Sequence, residues 1–156
     1  MSELSIAVYF PFARMKVIDQ QPHLDLDVPG TVIGLRPDRR CRPLCHECGQ
    51  PGQVHSHGLR RFIRDLNVGP AQTFLRVEYR RVWCPACQHA RVEQLDFADP
   101  GKRITHRLAQ LIYDLCKVMT VEDVARHFDL DPKTVKAVDQ HFLQQEYGQS
   151  TACVRV

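Results

Sequence analysis

Two Cys-x-x-Cys pairs, Cys45-His46-Glu47-Cys48 and Cys84-Pro85-Ala86-Cys87, stand 35 residues apart in a chain of 156. Two intervening residues let a pair of thiolates converge on one ion, and two such pairs complete the tetrahedral four-sulfur shell that zinc prefers. The interval must therefore return the second pair to the first, and it contains a hairpin's worth of strand. The expected product is a zinc ribbon with one structural Zn2+ on Cys45, Cys48, Cys84 and Cys87. Such a shell leaves no open position for water, so the ion serves folding and not catalysis. Redox Cys-x-x-Cys usually occurs once, in a βαβ context, which disfavours that reading for two pairs in a β-rich setting. Iron also accepts four cysteines, but nothing in the sequence argues for electron transfer. Cys41, His55, His57 and His89 are the nearby alternative ligands, with spare-thiol and polar-loop roles as their plainer readings. Of the remaining cysteines, Cys116 reads as helix core and Cys153 as part of a tail.

Seven cysteines without a secretory signal favour a reducing compartment, where disulfides are rare. No stretch has the roughly 18 apolar residues of a membrane span. A cytoplasmic chain with no membrane partner is expected. The net charge of +3 is unevenly spread. Residues 36–107 hold fourteen Lys and Arg against seven acids, net +7, whereas 1–35 and 108–156 each carry −2. Local phosphate neutralisation, not net charge, sets nucleic-acid affinity, so the basic middle marks a polyanion surface.

Strand patterns occupy Met15–Ile18, His23–Val28, Thr31–Leu35, Arg61–Leu66 and Phe74–Trp83, with Asn67-Val68-Gly69-Pro70 as a turn. In the last strand Leu75, Val77, Tyr79, Arg81 and Trp83 share one face by simple alternation. Beyond Pro100 the period becomes helical: Ile104, Leu108, Leu111, Ile112 and Leu115 align, with Thr105 or a residue just before it as a cap. Two further helices are expected, over Val121–His127 and from Pro132 to about Gln145. The second of these pairs with the third as a helix-turn-helix. Small Ala125 permits close approach, Val124 and Phe128 face inward, Leu130 plugs the turn, and Val135 with Val138 seats the second helix. Asp129 takes a turn position often held by glycine and tolerates the left-handed conformation it requires.

The fold class is therefore α+β: a small β-rich zinc ribbon with an N-terminal β-hairpin, followed by a three-helix helix-turn-helix domain. The expected divisions are a hairpin region packing on the ribbon (1–40), the ribbon (41–99), the helix-turn-helix (100–148) and a tail (149–156). Double-stranded DNA is the expected partner. Lys133, Thr134, Lys136, Ala137 and Gln140 fall on the exposed side of the recognition helix, suited to a major groove. Arg60, Arg61, Arg64, Arg80, Arg81, Lys102 and Arg103 supply phosphate contacts.

The order of these motifs resembles the amino-terminal part of the ISL family of bacterial insertion-sequence transposases. The residues that carry the likeness are Cys45-His46-Glu47-Cys48-Gly49, His57-Gly58-Leu59-Arg60-Arg61 with Arg64-Asp65-Leu66, Arg80-Arg81-Val82-Trp83-Cys84-Pro85-Ala86-Cys87, and Arg103-Ile104-Thr105. They extend over roughly Met15 to Gly148. The resemblance implies that the ribbon and helix-turn-helix recognise transposon-end DNA, and that an RNase-H-like domain with three metal-binding acids follows. Val156 lies only eight residues past Gly148, so no catalytic domain, and hence no enzyme activity, is expected of these residues. Other roles remain open on the sequence: an interaction or inhibitor protein forming mixed oligomers with a full-length transposase, a homo-oligomer, a stand-alone transcriptional regulator, or an RNA binder using Phe62, Phe74, Tyr79 and Trp83.

Overall fold

A computed structural model of the chain describes residues 6–24 and 27–148. The chain divides into two compact units, Met1–His106 and Arg107–Val156. In the first, a single 3-10 turn (Ile6–Tyr9) precedes five strands: β1 (Met15–Pro22), β2 (Gly30–Pro37), β3 (Gln53–Val68), β4 (Ala71–Cys84) and β5 (His89–Val92). They form one sheet in the order β1-β2-β4-β3, with β5 also paired to β4. The expected N-terminal hairpin forms from β1 and β2. It continues the same sheet, because β2 runs parallel to β4 from Gly30 opposite Gln72 to Leu35 opposite Val77.

β3 and β4 are longer than the apolar pattern suggests. β4 is continuous, yet its buried face changes sides. Leu75 and Val77 are buried together with Ile33, Leu35 and Ile63, capped by Phe10, Phe97 and Ala98. Past Tyr79 the opposite set, Arg80, Val82 and Cys84, becomes the buried one. The strand has not slipped; its cover has moved to the other face, where Glu93 meets Arg80 and Cys48 meets Cys84. β3 absorbs the mismatch through register shifts between Val54 and Ser56 and between Ser56 and Leu59, where Gly58 takes φ +87°.

The strand expected over His23–Val28 differs from the structure. Leu24 lies in a turn and Asp27 and Val28 in a bend, His23 keeps one bond to the Gly30 carbonyl, and Asp25 and Leu26 fall outside the described residues. Alternation there comes from a polar connection, since Leu24 is exposed. The chain after β5 stays with the sheet up to His106. Arg64 of β3 accepts the amide of Thr105 and donates its own to Arg103, and the Thr105 hydroxyl donates to buried Asp65 Oδ1 at 2.7 Å. The first helix accordingly starts after Ile104, which bridges to Arg64.

The second unit holds α1 (His106–Cys116), α2 (Val121–Phe128) and α3 (Pro132–Tyr147). Leu108, Ile112 and Tyr113 of α1 are buried, as are Val124, Ala125 and Phe128 of α2 and Val135 of α3. Leu111 lies on the expected apolar stripe but is exposed, and Cys116 is only half buried. Thr120 caps α2 by accepting from Asp123 N. Asp129 ends it at φ 53°, ψ 52°, the left-handed conformation that the sequence requires of this residue. Asp131 then caps α3 by accepting from Lys133 N at 2.7 Å, with Pro132 at the first helical position.

α1 and α3 meet through Tyr113, whose ring stacks on Phe142 at 4.8 Å and whose hydroxyl donates to Glu146 Oε2 at 2.6 Å. That bond, followed by burial, pushes the phenol pKa up to about 12. An unfolded tyrosine titrates near ~10, so this stabilisation is complete below about pH 10 and is lost as pH rises through about 12. Circular dichroism between pH 9 and 12 is expected to show helix stability falling across that window in the native chain, and a much flatter profile for Tyr113→Phe.

Candidate metal centre and nucleic-acid interface

Each cysteine pair sits in a tight backbone turn of the same design. The amide of Gly49 donates to the Cys45 carbonyl at 2.8 Å, and that of Gln88 donates to the Cys84 carbonyl at 2.9 Å. Gly49 and Gln88, each immediately after its pair, both take positive φ, 71° and 60°. β4 carries Cys84 as its last residue and turns through Cys87 into β5. The other loop is pinned at Cys45, which bridges to Glu93, and at Leu44, which bridges to Pro51.

The four Sγ atoms consequently converge within 4.8 Å of one another. Cys45 and Cys87 are 4.0 Å apart, and Cys48 and Cys84 are 3.4 Å apart. A zinc tetrathiolate with bonds of about 2.3 Å has sulfur-to-sulfur edges of roughly 3.8 Å, so the donors fit the ion in kind, number and spacing. The amide of Cys87 donates to Cys84 Sγ and lowers that thiol, whereas the neighbouring Cys48 thiol and burial push Cys87 up. Among the described residues, Cys41, His55, His57 and His89 do not join this cluster.

Buried salt-bridge chemistry holds the frame beneath it. Glu93 Oε2 accepts from Arg80 Nε at 3.0 Å and Nη2 at 2.7 Å, while Oε1 accepts the Arg80 amide at 2.8 Å. Arg80, expected on phosphate, is thus only 7% exposed. Arg64 is likewise buried, at 5%, donating to the carbonyls of Asp65 and Thr73 and to Asn67 Oδ1, with its guanidinium 5.1 Å from the Phe74 ring centre. The structure removes both from the surface set: alternation placed them on β faces, but the changed cover and the long β3 enclosed them. Arg60, Arg81, Lys102 and Arg103 are exposed, and Arg61 is half buried. Arg36, Arg39 and Arg42, outside the expected contact set, are exposed basic residues of the same unit. In the helical unit Lys133, Thr134, Lys136, Ala137 and Gln140 are all exposed along α3.

Comparison with known proteins adds two matches in consecutive segments. The zinc-finger of transposase IS204/IS1001/IS1096/IS1165 matches residues 42–87, and the helix-turn-helix domain of transposase family ISL3 matches 93–143. The chain corresponds to the amino-terminal region of the ISL3 transposases. It is 40% identical over 115 residues to the transposase for insertion sequence element IS1001 of Bordetella parapertussis, an alignment covering 72% of this chain and 28% of that protein. No solved structure matches. The ISL3 zinc-finger match contains all four clustered cysteines. The ISL3 helix-turn-helix match begins before α1, at residue 93, within a segment that here packs on the sheet through Phe97 and Ala98.

Glu93 had no sequence signal, because its partner Arg80 lies across the sheet at no characteristic spacing. Glu93→Ala leaves the Arg80 guanidinium buried without its acid, which is expected to cost about 3–5 kcal/mol in urea denaturation. Glu78→Ala, which breaks the exposed pair with Arg60, is expected to cost less than about 1 kcal/mol in the same assay.

Proposed function

We propose that this region is a zinc-dependent DNA-binding module that recognises the ends of a transposable element. The observation that carries the reading is the joint presence of a four-thiol cluster and a helix-turn-helix in the two family-matched segments, with α3 presenting Lys133, Thr134, Lys136, Ala137 and Gln140 to solvent. One Zn2+ bound to the four sulfurs would neutralise their charge and fix the two loops, with no open position for a reacting group. The strand-cutting chemistry of the resembled transposases is assigned to a part of the protein outside the two matched segments.

Division of labour follows from charge and exposure. α3 begins at a capped, Pro-led N-terminus, and its outward side chains suit base edges and nearby phosphates of a major groove. The helical region carries few cations, so phosphate affinity falls mainly to the exposed Arg60, Arg81, Lys102 and Arg103 of the sheet unit and to half-buried Arg61.

Fluorescence anisotropy with labelled duplexes bearing the element's terminal sequence tests this. Zinc-loaded protein is expected to bind with a steep salt dependence, and chelated protein to lose binding. Lys133→Ala and Lys136→Ala are each expected to weaken binding, and removing any cation that neutralises a phosphate flattens the slope of log affinity against log salt by about 0.9. Absence of binding to any duplex at low salt by the zinc-loaded protein would refute the reading.

A further inference from the structure

The core face of the sheet runs out at a basic hollow. Ile63 and Leu75 lie opposite one another at the centre of the core, followed along the strands by the pairs Arg61 with Val77 and Leu59 with Tyr79. Beyond Val77 that face loses its apolar cover, and a cavity of about 550 Å³ opens between β3, β4 and the segment that runs from β5 to residue 103. Its volume falls in the range of small-molecule sites.

The lining has two characters. Tyr79, Leu95 and Ala98 contribute apolar surface. Arg61, Lys102 and Arg103 supply cations, whereas Arg60 and Phe62 alternate to the opposite face of β3, where Arg60 pairs with Glu78. The one acid in the lining, Glu93, is already committed to Arg80. Arg61 is the most buried of these cations. Its Nη2 donates to the Asp99 carbonyl at 3.1 Å and its guanidinium lies 5.7 Å from the Tyr79 ring centre, yet its Nε is buried without a hydrogen-bond partner. A buried charged donor left unbonded is costly, and an incoming anion relieves that cost.

We propose that this hollow receives one unpaired nucleotide of a DNA strand, its base on Tyr79 and its phosphates among Arg61, Lys102 and Arg103. The inference deepens the DNA-binding reading and rests on it. An intact duplex keeps its bases stacked inside and offers only phosphates, which have no use for an aromatic-lined hollow. A strand end or an unpaired base offers both an anion and a π face, the combination that single-strand sites bind through cationic grooves and aromatic platforms. This separates the roles of the two units: α3 suits paired bases, and the sheet unit suits a strand where pairing stops.

The test compares zinc-loaded whole chain on three probes: a blunt duplex, the same duplex with a three-nucleotide DNA overhang carrying 2-aminopurine, and the same duplex with an RNA overhang. The DNA overhang is expected to tighten binding about tenfold over the blunt duplex and to quench 2-aminopurine emission as the base stacks. Tyr79→Leu is expected to bring the overhang-to-blunt ratio to about one and to abolish the quench. Lys102→Gln, an exposed change that does not disturb packing, provides a second arm and is expected to lower the ratio. Equal affinity of the native chain for blunt and overhung duplexes would overturn the proposal while leaving duplex recognition standing, and so would a ratio unchanged in both variants. Tighter binding of the RNA overhang than the DNA one would overturn its assignment to DNA. Failure of all three probes to bind would instead remove the DNA-binding reading beneath it.

Discussion

Four sulfur atoms brought within 4.8 Å of one another are the constraint on which the sheet unit turns. Two come from the loop of residues 43–52 and two from the end of β4 and the turn into β5, so an ion spanning them would tie the two ends of a long antiparallel excursion. Few apolar groups are buried in that part of the unit, since Val54 and Trp83 are both more than a third exposed. Structural zinc contributes an apparent ~10–16 kcal/mol in small finger peptides, a scale large enough to replace a missing apolar core.

Away from the sulfurs, stability has a different source. The Ile33, Leu35, Ile63, Leu75 and Val77 cluster is a conventional apolar core, built because β2 joins β4 in parallel and brings the N-terminal hairpin into the sheet. β4 therefore serves two interiors, one on each face. The Arg80–Glu93 pair stands where the cover changes sides, and it uses both carboxylate oxygens to do so. The same change of cover leaves Arg61 and Tyr79 at the mouth of a hollow rather than in a core.

Much of this was legible in the residues, for identifiable reasons. The cysteine spacing encodes a ligand shell directly, because the metal's geometry is fixed. The helix-turn-helix was legible because caps and turn act locally: Asp129 occupies the left-handed position expected of it, and Pro132 opens α3. What failed depended on distant partners. Alternation placed Arg64 and Arg80 on β faces correctly but could not say which face would be covered; both became interior cations. The strand expected at His23–Val28 does not form over its described residues, and Leu24, apolar in the alternating pattern, is exposed. The parallel pairing of β2 with β4 has no local signature either, and Arg103 to Thr105 pair with β3 although the helical region was expected to begin at Pro100.

The central claim is that a single zinc ion completes the four-thiol cluster. X-ray absorption at the zinc edge, together with metal content on protein purified without chelator, measures it directly. One zinc per chain with four sulfur neighbours at about 2.3 Å is the expected result. A shell containing nitrogen or oxygen in place of a sulfur, or a folded sheet unit that holds no zinc, would contradict it.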